Sequence, residues 1–185
     1  IPYQYYKIPL ELPEDVWVTA AVVKPQNAKV LHHCLVFVKF PEALKKLEPR
    51  QNGGLAGYFT GFVPGATPVR FPKGTAKFLP KGTTLILQMH YTPTGKPESD
   101  LTQLGLYFSK TKPELELRTK GIATQEFLIP PGAPDYEVKA SYTFKKESLL
   151  YAMSPHMHYR GSRFRYEAAY PDGKTEILQI GRAHV

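Results

Sequence analysis

Of the six histidines in the chain, five fall on or at the ends of segments that read as β-strands: His32, His33, His90, His156 and His158. Neutral imidazole is a borderline ligand suited to copper, zinc, iron or nickel. Within YAMSPHMHYRG (151–161), His156 and His158 stand two apart. Residues i and i+2 of a strand face the same side, so this pair can grip one ion from one wall while Met157 faces the core. His32 and His33 are adjacent, and a regular strand would send them to opposite faces. Both reach one ion only if the strand bulges or bends there; otherwise one is a core histidine and the other a surface one. His90, closing an apolar strand, reads by itself as a ligand or as a satisfied core residue. As a set, the five suggest a His-His plus His site and a His-X-His site with some further ligand.

The elements that must hold these rings are predicted to be short strands. Val16–Val23 is β-branched and bounded by prolines, and Val30–Phe40 is a second, mostly buried run. Glu42–Leu47 can make one helical turn after Pro41. Residues 51–83 are rich in glycine and proline, and FPKGT (71–75) recurs as LPKGT (79–83). Each reads as a β-turn with proline at the second position, the two turns enclosing a short strand. Further strands are expected at Thr84–Tyr91, Leu101–Phe108, Glu126–Ile129, Tyr136–Phe144, Leu149–His158 and Ser162–Tyr170. The turn YPDGK (170–174) joins the last of these to Thr175–Gln179 as a hairpin. Strands at this spacing, with no helices between them, predict an all-β antiparallel sandwich or jelly roll. The charged segment Lys110–Lys120, with Pro113, is the expected domain crossing.

The 185 residues are enough to bury a core, and 18 prolines and 14 glycines argue for many turns and against long helices. No apolar run approaches the roughly 18 residues of a membrane span. The formal charge is +8, but the basic residues are scattered and form no stripe. A nucleic-acid partner is therefore not expected. A single cysteine, Cys34, excludes an internal disulfide. It reads as a small buried residue, with a copper-competing thiolate as the other option. The start at Ile1, without an initiator methionine or a charged-then-apolar leader, is expected to reflect processing or fragmentation. The closing IGRAHV is identical to the translation of a common sequencing-library adapter up to its in-frame stop. Residues 180–185 are therefore read as a non-native tail, and His184 is discounted as a ligand.

From about Val16 to Gln179 the chain resembles the copper type II, ascorbate-dependent monooxygenases, the family of peptidylglycine α-hydroxylating monooxygenase and dopamine β-monooxygenase. The resemblance is carried by His32-His33 in HHCLVFV, His90 in LQMHYTP, and His156-Met-His158-Tyr-Arg-Gly161, an H-x-H-x-x-G motif. The wording of these segments is most similar to bacterial members, which implies a periplasmic or extracellular location. The resemblance implies two successive jelly-roll domains: an N-terminal copper domain at 1–112 and a C-terminal one, incomplete here, at 113–179. His32, His33 and His90 would hold an electron-transfer copper. His156 and His158 would hold the oxygen-activating, catalytic copper. The implied reaction hydroxylates a C–H bond of a small organic or peptide substrate with O₂ and a reductant such as ascorbate.

Two departures from the family matter. The second copper of the family takes a methionine thioether downstream of H-x-H, yet no methionine follows Met157. The second site is therefore expected to bind weakly, and the fragment to be inactive. Peptide-amidating members carry an arginine two residues before H-x-H to bind the peptide carboxylate, and here that position is Ser154, which argues against a glycine-extended peptide. Tyr91, Tyr159 and Arg160 flank ligands and read as supporting, packing or surface residues. The rival readings are a copper-binding or electron-transfer module without oxidation chemistry, a structural sandwich with incidental histidines, and a zinc hydrolase. The last would need a carboxylate base beside the pair, and Glu167 falls on a different predicted strand.

Overall fold

The computed structural model describes residues 3–45, 57–65, 69–157 and 160–182. Contacts divide the chain into two compact units, Ile1–Ser141 and Tyr142–Val185. Eleven strands and one four-residue helix are described, so the chain is all-β. No helix among the described residues is long and apolar enough to cross a membrane.

The first unit is sandwich-like and built from antiparallel sheets. One sheet has four strands in the order β1 (Gln4–Pro9), β7 (Thr84–Tyr91), β3 (Leu31–Lys39) and β4 (Tyr58–Phe62). In the other, β2 (Val16–Lys24) carries β8 (Gln103–Phe108) along one edge. Its other edge is shared by β6 (Thr75–Leu79) and the short β5 (Val69–Arg70). The two-residue β9 (Leu115–Glu116) pairs with β6 in parallel.

The core forms where the strand period points apolar residues inward. From β7 come Leu85, Leu87 and Met89, and from β3 come Leu31, Cys34, Val36 and Val38. They pack with Phe59 of β4, Val18 and Ala21 of β2, and Leu79 of β6. Each large side chain of this set stabilises the fold by about 1.5–3 kcal/mol.

Strands β2, β3 and β7, which carry the core, lie where the sequence predicts them. The paired Pro-Lys-Gly turns also enclose a short strand, β6. Their geometry differs from expectation in one respect. The Thr75 and Thr83 amides donate to the Pro72 and Pro80 carbonyls at 3.0 and 3.1 Å. Proline thus takes the first turn position. Glycine takes the third, where Gly74 and Gly82 adopt φ of 81° and 80°, as a type II turn requires. The helical turn after Pro41 is α1 (Glu42–Lys45); Lys46 and Leu47 lie outside the described residues.

Beyond Glu116 the expectation fails over a long stretch. The strands predicted at Glu126–Ile129, Tyr136–Phe144 and Leu149–His158 do not form among the described residues. The reason is pairing. Leu128 and Leu149 are 82% and 83% exposed, and a β-branched or aromatic run without a neighbouring ladder has no sheet face to join. The second unit does contain the expected hairpin, β10 (Arg163–Ala169) with β11 (Thr175–Arg182), closed at Gly173 with φ 84°. Strand β11 runs on through Ile180–Arg182, three residues of the segment read as a tail. No described residue of this unit is buried.

Candidate metal centre

The first histidine pair depends on one irregularity in β3. Leu31 and Cys34 are both buried, at 1% and 0% exposure, although they are three residues apart. Strict alternation would put them on opposite faces. The ladder to β7 shifts register between Leu31, paired with Tyr91, and His33, paired with His90. One extra residue, His32, is thereby accommodated. A bulge of this kind sets two residues against one and lets consecutive side chains leave the same face. Across the ladder His90 lies on that face too, because its neighbour Met89 points into the core.

Three imidazoles meet there. One ligand-capable nitrogen from each of His32, His33 and His90 lies within 4.8 Å of the other two. Ring centroids are 5.3 Å apart for His32–His33, 5.1 Å for His32–His90 and 5.0 Å for His33–His90. The Nδ1 atoms of His32 and His33 approach to 3.1 Å. With metal–nitrogen bonds of 2.0–2.1 Å, two ligand nitrogens stand about 2.9–3.4 Å apart as their angle opens from square to tetrahedral. The observed spacing is compatible with two ligands on one ion, and without an ion it is a hydrogen bond between the two rings.

The Nδ1 of His90 is buried and has no hydrogen-bond partner among the described residues. A buried polar atom left alone calls for an explanation, and a bound cation supplies one. Burial, then positive charge on His32, holds the His90 imidazole below its usual pKa. That favours the neutral form, the form that ligates. The donor set is three imidazole nitrogens with no thiolate. It suits copper, zinc, iron or nickel.

The surroundings fix the end of the ladder that carries the bulge. The Thr92 amide donates to the Val30 carbonyl at 2.8 Å, and the Val30 and Leu31 amides donate to the Asn27 carbonyl. Asp100 accepts the Asn27 and Gln26 amides on one oxygen, and the Tyr91 and Thr102 hydroxyls on the other. Tyr91 packs against the core and is bound to Asp100, so its part is structural. Cys34 is fully buried on the core side of β3, and burial pushes its thiol up to about 12. It is therefore protonated, and the small-core reading of this residue holds.

Two residues escaped the sequence reading. Tyr3 stacks on the cluster, its ring 4.6 Å from His90 and 5.7 Å from His33. Asp100 organises the loop. Tyr3 becomes adjacent only through the β1–β7 ladder, and β1 was not anticipated. The aromatic-rich YQYY (3–6) was the available signal for it.

In the second unit His156 is exposed, and His158 and Tyr159 lie outside the described residues. No strand forms over 149–157, so the i, i+2 geometry expected of the pair is not established there. Gly161 of the H-x-H-x-x-G motif packs on Met157. A Cβ at Gly161 would stand 2.5 Å from the Cβ of Met157, which explains glycine at that position. Glu167 is paired with Arg165 at 3.5 Å. Arg160 is exposed. No family model matches the chain, and no curated protein matches it either.

Proposed function

We propose that the chain is a copper protein in which His32, His33 and His90 hold an electron-transfer ion serving a C–H-hydroxylating monooxygenase of the ascorbate-dependent type, with the family's jelly-roll domains and His156 and His158 at the oxygen-activating site. One observation carries the reading: a bulge turns two adjacent histidines to the same face, opposite a third, with two of their nitrogens 3.1 Å apart. The order His-His, His, His-X-His along the chain supports the remainder.

When bound, copper would cycle between two oxidation states and so pass single electrons. The chain supplies what that requires. Three imidazoles add no negative charge, so the site does not favour the more highly charged oxidised ion as anionic ligands would, and the reduced ion stays accessible. The rigid β3–β7 ladder keeps the nitrogens in place between states. The half-exposed rings of His33 and His90 and the exposed ring of His32 leave an approach for a small reductant.

The test is a copper titration of the purified chain, followed by paramagnetic resonance and X-ray absorption. One tightly held ion with three imidazole nitrogens, reducible by ascorbate and lost in His33→Ala, is expected. Absence of binding, or binding indifferent to that substitution, sinks the reading.

A second reading, a copper-binding module without oxidation chemistry, draws support from the second unit, where residues 149–157 form no strand to carry His156. Ascorbate-dependent oxygen uptake by the copper-loaded protein separates the two. Uptake above free copper favours the oxygenase, and copper reduction without uptake favours the module.

A further inference from the structure

We propose that Tyr3 is a positioning residue of the metal centre, and that through it the docking of edge strand β1 is coupled to occupancy of the His32–His33–His90 site. The inference rests on the reading of that cluster as a metal site.

Strand β1 is held weakly. All six of its residues are exposed, and among the described residues only β7 pairs with it. The ladder from Gln4–Met89 to Pro9–Thr84 is supplemented by a hydrogen bond from Gln88 Nε2 to the Tyr5 hydroxyl at 2.7 Å, and one from the Leu10 amide to the Thr83 carbonyl at 2.9 Å. An element with so little buried surface opens locally far more easily than the sandwich it borders.

Tyr3 precedes Gln4, the first residue of that ladder. Its ring lies tilted over His90 at 4.6 Å and over His33 at 5.7 Å, the imidazoles that face each other across β3 and β7. When β1 is docked, Tyr3 limits the rotamers of two of the three rings and shields one side of the cluster from water. The entropic cost of ordering them has then been met before the ion arrives. The converse follows from linkage. An ion that fixes His33 and His90 gives the Tyr3 ring a rigid surface to stack on, so metal binding favours docked β1 by the same factor. The contact is made by the tilted rings themselves and needs no hydroxyl, so phenylalanine should serve.

The experiment compares the full chain with Tyr3→Ala and Tyr3→Phe. Copper affinity is measured by competition with a chelator, and amide hydrogen exchange is followed with and without copper. Tyr3 is 47% exposed, so neither variant threatens the core. Copper is expected to slow exchange of the β1 amides in the parent and in Tyr3→Phe but not in Tyr3→Ala. The amides of β8, an edge strand of the other sheet, should be unaffected. Tyr3→Ala should weaken copper binding about three- to tenfold, the scale of one aromatic contact. Equal affinity in all three proteins, or β1 protection that persists in Tyr3→Ala, overturns the coupling while leaving the metal site intact. A Tyr3→Phe variant as weak as Tyr3→Ala also overturns it, because the hydroxyl would then be the acting group. Failure of the parent to bind copper is a different result, since it removes the metal site itself.

Discussion

The carboxylate of Asp100 accepts the backbone N–H of Asn27 at 2.8 Å, across 73 residues of sequence. Asn27 in turn receives the amides of Val30 and Leu31, the residues just before the bulge. The other Asp100 oxygen holds the hydroxyl of Tyr91, the residue just after His90. A single carboxylate therefore ties together both strands that present the imidazoles.

Asp100→Asn keeps the shape but replaces one acceptor oxygen with a donor. It is expected to cost about 1–3 kcal/mol in urea unfolding and to weaken copper binding. Burial alone would raise the Asp100 carboxyl, but bonds from Thr102, Asn27, Tyr91 and Gln26 outweigh it and set it below its usual 3.8. A carboxyl depressed in the fold adds stability above its unfolded pKa and loses it as pH falls through the folded one. The gap between parent and Asp100→Asn should therefore be full at pH 6 and close as the solution is acidified below about pH 4. A gap that widens in acid contradicts this account.

Cys34 sits next in sequence to the histidine pair but on the other side of the sheet. With its thiol pushed up to about 12 it offers no thiolate to an ion. Cys34→Ala should cost about 1–2 kcal/mol of stability through lost packing and leave copper affinity within about twofold. A thiol reagent should not label the native protein and should label it fully in denaturant. Loss of copper binding in Cys34→Ala would place sulfur in the site.

How far the sequence could be read depends on what each feature requires. The inward–outward alternation of LILQMHY and the bounded apolar run LHHCLVFVK are local patterns, so β7 and β3 are legible in the sequence itself. The need for a bulge at His32-His33 was likewise legible, since two adjacent strand residues cannot otherwise share a face. That the bulge exists depends on register with β7, which only the folded ladder settles. Tyr3 and Asp100 act through contacts spanning most of the first unit, and although YQYY hints at a strand, no local pattern announces those contacts. The runs at 126–129, 136–144 and 149–157 show the opposite error. Their composition suits strands, but strand formation requires a partner edge, and the described residues provide none.

Lys77 gives a pH prediction of opposite sense to Asp100. It is 8% exposed, its Nζ donates to the Phe59 carbonyl at 2.6 Å and to Thr119 Oγ1 at 2.9 Å, and it lies within 5.3 Å of the Phe59 and Phe71 ring centres. Burial lowers its pKa from 10.5 to about 8. Between these values the unfolded chain binds more protons, so stability rises with pH. The penalty is complete below the folded value and gone above the unfolded one. At 1.36 kcal/mol per unit the penalty is about 3 kcal/mol in size, offset in part by the two hydrogen bonds. Lys77→Met should flatten this rise between pH 7 and pH 10.5 in denaturant titrations. An unchanged pH slope in the variant contradicts the burial argument.

His90 offers the most direct separation of ligand from packing residue. A histidine serving only the fold would lose stability when truncated, whether or not metal was present. The His90 Nδ1 is instead buried without a hydrogen-bond partner among the described residues, so the apo protein carries a desolvation cost that His90→Ala removes. The variant without metal is therefore expected to melt at or slightly above the temperature of the apo parent. Copper at one hundred times its dissociation constant should stabilise the parent by about 2.7 kcal/mol and raise its melting temperature by several degrees. His90→Ala should lose nearly all of that increment, because two ligands on one bulge hold the ion far less tightly than three. His90→Ala that is strongly destabilised without metal, yet still shifts with copper as the parent does, would make His90 a packing residue and reduce the centre to the His32–His33 pair.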